Sequence, residues 1–134
     1  MVTRRKRGTR GVMDELIERI VTNVGVDRAT AQKAIAIILD FLRKEGPTEK
    51  VDALIAQMPG AEALAASASS EGGAGGMFGM GGIMGAANRL MAAGLSMGQV
   101  QTVTQEVVAY TREKAGEDSV GEVVGAIPGL SQFV

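Results

Sequence analysis

Six acidic residues are spaced closely enough to support chemistry. They fall into two groups near predicted helix ends: Glu45, Glu49 and Asp52, and Glu113, Glu117 and Asp118. Neighbouring carboxylates can transfer protons or hold a divalent cation. Neither group has the spacing of a calcium-binding loop, and lysines that can pair with the acids stand close by. These lysines are Lys44, Lys50 and Lys114. We therefore expect solvated salt bridges at the helix ends.

The chain contains neither cysteine nor histidine. This excludes disulfides, metal sites built on these residues, and most nucleophile–base pairs. The stretch "GMGGIMG" at residues 79–85 has the glycine spacing of some phosphate-binding turns, but no predicted strand precedes it and no G-K-[ST] follows. We predict that the protein is not an enzyme and that it has no catalytic, metal-binding or cofactor-binding residues.

The charged residues are unevenly distributed. Five basic residues lie near the N-terminus: Arg4, Arg5, Lys6, Arg7 and Arg10. They give the first eleven residues a charge of +5, whereas the remainder has nine basic and fifteen acidic side chains. A basic arm on an acidic body is typical of binding to nucleic acid or an anionic membrane. Two plainer interpretations stay open: a disordered arm over residues 1–12, or translation that starts at Met13.

Length and composition favour one domain in the cytoplasm. A chain of 134 residues, 46% of them apolar, can bury an adequate core. No apolar stretch follows the N-terminal basic residues, so no signal peptide is predicted. The apolar run that starts at Met77 ends at Asn88 after eleven residues, which is too short to cross a bilayer.

The chain contains an internal repeat. Residues 25–64 align without a gap on residues 94–133, at a constant offset of 69. The two copies read "GVDRATAQKAIAIILDFLRKEGPTEKVDALIAQMPGAEAL" and "GLSMGQVQTVTQEVVAYTREKAGEDSVGEVVGAIPGLSQF". Six positions are identical: Gly25/Gly94, Gln32/Gln101, Arg43/Arg112, Val51/Val120, Pro59/Pro128 and Gly60/Gly129. These matches fall at turns and at predicted core positions, and they indicate a tandem duplication.

Apolar spacing predicts three helices in each copy and therefore an all-α protein of about six helices. Asp27 and Ser96, at matching positions, are predicted to cap the second helix of each copy. The apolar stripe of the first of these helices includes Ile35, Ile38 and Leu42, and the second includes Val103 and Val107. We expect one helical domain over residues 13–134, made of copy one (13–64), an Ala/Ser/Gly-rich linker (65–82) and copy two (83–134).

The linker carries apolar side chains that a plain spacer does not need. Met77, Phe78 and Met80 lie among its glycines, and we predict that they form an interaction surface. The next helix, over roughly 83–93, is expected to place Met84 and Met91 in the core beside Ala87 and Leu90.

Two resemblances support the helical prediction. The stretch "DELIERIVTNVGVDRATAQKAIAIILDFL", residues 14–42, resembles the helical hairpin that opens the HU/IHF histone-like proteins. That family forms dimers through the hairpin and reaches DNA with β-arms, which this sequence lacks, so the resemblance implies helical packing of that kind. The whole chain, with its "AAGLS" turn and "IPGLSQFV" ending, is also similar to small bacterial helical proteins with a Gly-rich middle and no assigned activity.

The sequence thus predicts a non-catalytic helical interaction or structural module that self-associates or binds a protein partner. The alternative is binding of nucleic acid or an anionic membrane through the basic arm. A third possibility is an apolar ligand held between the two copies.

Overall fold

The computed structural model describes residues 14–58, 60–66, 82–127 and 129–132. Over these ranges the chain is all-helical and contains no strand, so the predicted all-α class is confirmed. The described helices are α1 (14–24), α2 (Arg28–Glu45), α3 (Thr48–Ala56), α4 (61–66), α5 (Gly82–Ala92), α6 (Met97–Ala115) and α7 (Glu117–Ala126), followed by a 3₁₀ turn at Leu130–Gln132.

Helix α4 is an element that the sequence analysis did not anticipate. Gly60 turns the chain with a φ of +93°, and the Ala-rich stretch that follows forms the helix. Ala65 lies on α4 and is fully buried, although the expected linker began at this residue. Alanine and leucine have high helix propensity, which explains why so short a segment is helical once it packs on the core.

Helices α2 and α6 are capped as predicted. The Asp27 carboxylate accepts a hydrogen bond from the Thr30 amide at 2.8 Å. Ser96 accepts from the Gln99 amide at 3.2 Å, and the Gln99 side chain accepts from the Ser96 amide at 2.9 Å. Each cap follows a glycine with positive φ, which is Gly25 or Gly94. These contacts satisfy amides that have no partner within the helix.

Helix α2 lies at the centre of the fold. Nine consecutive residues, 34–42, are buried, which is more than two full turns. Helices α3, α5 and α6 all pack against α2. A helix buried around its whole circumference is apolar on every side, and the exception here is Asp40.

Helix α6 repeats part of this pattern on one face. All seven of its buried residues stand 69 positions after a buried residue of α2. Two of these seven buried residues are threonines, Thr104 and Thr111. Their hydroxyls donate to the carbonyls of Val100 and Val107, each at 2.8 Å, so no buried hydroxyl is left without a partner at these two positions.

The two halves of the chain interlock. Helix α5 of the second half packs on α2 of the first. In the opposite direction, α1 contacts α6, because the Tyr110 hydroxyl donates to Glu15 at 2.7 Å and Arg19 pairs with Glu113 at 3.2 Å. The first helix of each half therefore contacts the second helix of the other half.

Among the side chains that join α1 to α6, Tyr110 is buried, whereas Glu15 and Glu113 are exposed. Its side chain is almost completely inaccessible, and Arg19 and Lys114 lie over its ring at 5.2 and 5.3 Å from the centroid. Burial raises the pKa of Tyr110 well above its ordinary value, and the hydrogen bond to the Glu15 carboxylate raises this pKa further.

Replacing Tyr110 with Phe is expected to reduce the loss of stability at high pH. The pKa of Tyr110 is raised in the folded chain, so its contribution to stability is fully present below the unfolded-state value of about 10 and decreases as the pH rises above it. The free energy of unfolding of the unsubstituted chain should therefore fall more steeply above pH 10 than that of Tyr110→Phe, as measured by urea denaturation at several pH values.

A direct readout is available because Tyr110 is the single tyrosine of the chain. Its phenolate absorbance should appear only well above pH 10 or together with unfolding. A folded protein whose tyrosine ionises with a midpoint near pH 10 would contradict this account.

Candidate functional site: an uncharged methionine face

The site residues predicted from sequence lie outside the described ranges. They are Met77, Phe78 and Met80 of the proposed interaction surface and Arg4, Arg5, Lys6, Arg7 and Arg10 of the basic arm. Both assignments stay predictions.

Asp52 and Glu113, one from each acidic group, pair with arginines, whereas Lys44 and Lys50 pair with acids outside the two groups. Lys50 pairs with Glu122 at 2.6 Å and thereby joins α3 to α7, while Lys44 pairs with Asp40. Asp52 lies 3.5 Å from Arg43. Among the described residues, no three acidic side chains come together in a way that could hold a metal ion.

The described surface has three large apolar side chains that are strongly exposed, and all three are methionines. The exposed fractions are 54% for Met84, 40% for Met91 and 45% for Met97. The expectation that Met84 and Met91 fill the core is therefore wrong. Ala87 and Leu90 are buried as expected, at 2% and 1% exposed.

The rotation of α5 explains this error. Successive residues of an α-helix are separated by about 100°, which places Met84, Asn88, Met91 and Ala92 in one narrow sector. All four are exposed. We refer to these four residues as the methionine face. The opposite side of α5 has small residues at 85–87 followed by Leu90, and it is buried. Small side chains allow α5 to approach α2 closely.

An ion pair fixes this rotation. The guanidinium of Arg89 lies on the inner side of α5, where its Nη1 is 2.9 Å from Oδ2 of the buried Asp40. Lys44 adds a second cation at 3.2 Å from the same oxygen. A buried carboxylate is tolerated only when it is paired and hydrogen-bonded. Turning Arg89 outward would leave Asp40 with a weaker set of partners, so α5 presents its methionines to solvent instead.

The methionine face carries no charge. Each of the other six α-helices in the described part of the chain exposes at least one charged side chain, such as Glu18 on α1 or Glu122 on α7. The single charged residue of α5 is Arg89, which is engaged with Asp40. Met97 begins α6 just after the turn that follows α5, and the next exposed residues of α6, through Gln105, are also uncharged.

A small apolar cavity lies beneath the face, between α2, α5 and α6. Its lining includes Ile38, Phe41, Leu90 and Thr104, and its volume is about 10 Å³. A volume of this size holds about one water molecule. This cavity is therefore too small for a lipid chain or a similar apolar ligand held between the halves.

Comparison with known proteins gives no assignment. No protein-family model, no curated protein and no solved structure matches this chain. Within the described ranges, no helix has both the length and the apolar character needed to cross a membrane.

Removing the cation of Arg89 is expected to destabilise the protein more than removing that of Lys44. Arg89→Ala leaves the buried Asp40 carboxylate with the more exposed Lys44, and the expected cost is about 2–4 kcal/mol. Lys44→Ala keeps the Arg89 pair and should cost less than about 1 kcal/mol. Urea denaturation followed by circular dichroism gives both values. Equal costs for the two variants would show that the Asp40–Arg89 pair does not hold α5 in place.

Proposed function

We propose that this protein is a non-catalytic helical interaction module and that the methionine face is its contact surface. The observation that carries the proposal is an exposed, uncharged face with two methionines. It lies on the one α-helix of the described ranges whose exposed side chains are all uncharged. In the sequence, Met77, Phe78 and Met80 stand four to seven residues before Met84, and the proposal includes them in the same contact region.

The chemistry of methionine suits this role. Its unbranched, polarizable side chain adapts to partner surfaces of different shapes. Met84 and Met91 are each about half exposed, so covering them with a partner contributes roughly 1 kcal/mol per side chain. Two such side chains can form the apolar centre of a small interface. Because the face carries no charge, covering it requires little desolvation of charged groups.

The fold itself does not need methionines at these positions. Met84, Asn88 and Met91 stand 69 residues after Glu15, Arg19 and Thr22 of α1. Glu15 and Arg19 make polar contacts with α6. The first helix of a half can therefore carry polar side chains here, and the apolar residues of α5 require another explanation, which a contact surface provides.

The proposal also includes two further points: the chain arose by tandem duplication, and the protein is cytoplasmic. A tandem duplication with an offset of 69 is supported by the matching caps at Asp27 and Ser96 and by positive φ at Gly60 and Gly129 as well as at the glycines before the caps. The absence of cysteine from the whole sequence favours the cytoplasm.

The basic arm supports a second candidate function, which is binding of nucleic acid or an anionic membrane. The arm carries a charge of +5, and in the rest of the chain the acidic residues outnumber the basic ones. Phosphate contacts made by such an arm weaken steeply with salt. The full chain should bind DNA or anionic vesicles more tightly than a chain that starts at Met13, and equal, negligible binding by both would remove this candidate.

Site-specific photo-crosslinking tests the contact surface without assuming the identity of the partner. A photoreactive residue placed at position 88 in the full chain, in the cells that produce it, should give a covalent adduct of defined mass. The same residue at the exposed position of Ser119 on α7 should not. The adduct should disappear when Met84→Glu and Met91→Glu are combined, because two carboxylates would have to be desolvated on contact.

Thr22→Glu is the matched control for this experiment. It adds a carboxylate at an exposed position of α1, 69 residues before Met91, and should leave the adduct intact. No adduct from position 88 above the level seen at 119 would refute the methionine face as a contact surface. Circular dichroism should show all variants folded, since each substitution falls on an exposed side chain.

A further inference from the structure

We infer that the partner of the methionine face is a second copy of this chain, with the two α5 helices packed against each other across a two-fold axis near Asn88. This inference rests on the proposed function and names its partner. It follows from the charge of the body, from the spacing of the methionines and from the chemistry of asparagine.

Charge restricts where two copies can meet. The described residues include fourteen acidic and nine basic side chains, so the body carries a net negative charge. Contact between two surfaces that both carry these acidic side chains is therefore opposed by like-charge repulsion. The methionine face is uncharged on both copies, and contact there brings no like charges into direct opposition.

Spacing makes the face complementary to itself. Met84 and Met91 lie seven residues apart, which is about 10 Å along the helix. When two copies of α5 run antiparallel and cross near Asn88, Met84 of one copy lies beside Met91 of the other, and this occurs twice. A two-fold interface places the same surface on both subunits, and a repeat of seven residues keeps the packed side chains in one seam.

Asn88 supplies the polar contact at the centre. Its side chain has both donor and acceptor groups, so two asparagines that meet across the axis can satisfy each other. A central asparagine of this kind fixes register in helix pairs. The contact involves few residues on each copy, so the dimer should be weak and should depend on protein concentration.

Sedimentation equilibrium of the full chain over a wide range of concentrations tests the inference. The unsubstituted chain should shift reversibly from monomer to dimer. Asn88→Asp is close in shape to the original residue and places two carboxylates at the axis, so it should raise the dimer dissociation constant by at least about tenfold. Asn23→Asp, at an exposed position of α1, is the matched control and should leave the dissociation constant unchanged.

A charge-pairing experiment separates loss of contact from loss of folding. Asn88→Asp and Asn88→Lys should each be largely monomeric alone, whereas an equal mixture at the same total concentration should recover dimer. Recovery requires that position 88 of one copy faces position 88 of another, and a misfolded variant would not produce it.

Two results would overturn the inference. If the unsubstituted chain is monomeric at every concentration, the partner is not a second copy. The proposed function would then depend on whether position 88 crosslinks to a different protein. If the chain dimerises but Asn88→Asp behaves like Asn23→Asp and mixing with Asn88→Lys has no effect, the dimer uses another surface.

Discussion

A single buried carboxylate constrains much of this structure. Asp40 lies within nine consecutive buried residues of the central helix, where an unpaired charge would be strongly destabilising. Arg89 of α5 supplies the pairing cation from the other half of the chain. Because Arg89 must face inward, the rotation of α5 about its own axis is set, and the small residues beside Arg89 let the helix come close to α2. The outward direction of Met84 and Met91 follows from the same ion pair.

The Asp40–Arg89 ion pair is one of several contacts that join the two halves of the chain. Helix α5 packs on α2, while α1 is joined to α6 by the contacts of Tyr110 and Arg19. Helix α5 also packs on α6 of its own half, and α1 is joined to α2 by the ion pairs of Arg28, so each first helix contacts both halves. The first helices of the two halves, α1 and α5, differ in the surface that they present. Helix α1 uses its charged positions to bind α6, whereas α5 has an uncharged surface that no described element covers.

That uncharged surface matters because of its surroundings. Scattered exposed methionines are ordinary on a protein surface, but here Met84 and Met91 share one helical sector. Arg89, the single charged residue of α5, lies outside this sector and pairs with Asp40. An uncharged face loses little hydration free energy when it is covered, whereas covering an unpaired charged side chain is costly.

The helical class, the caps at Asp27 and Ser96 and the buried stripes of α2 and α6 could all be predicted from sequence. Each of these depends on side-chain periodicity or on contacts a few residues apart, which the chain order displays directly. The outward face of α5 could not be predicted in this way, because α5 is apolar around most of its circumference. Its two polar residues, Asn88 and Arg89, are adjacent in sequence, and only Asn88 faces solvent fully. The signal was present in Asp40, an acid in the middle of an apolar stretch, but its partner lies 49 residues away. Only tertiary packing decided that this arginine is turned inward and the methionines outward, because the cost of an unpaired buried carboxylate exceeds that of exposing two methionines.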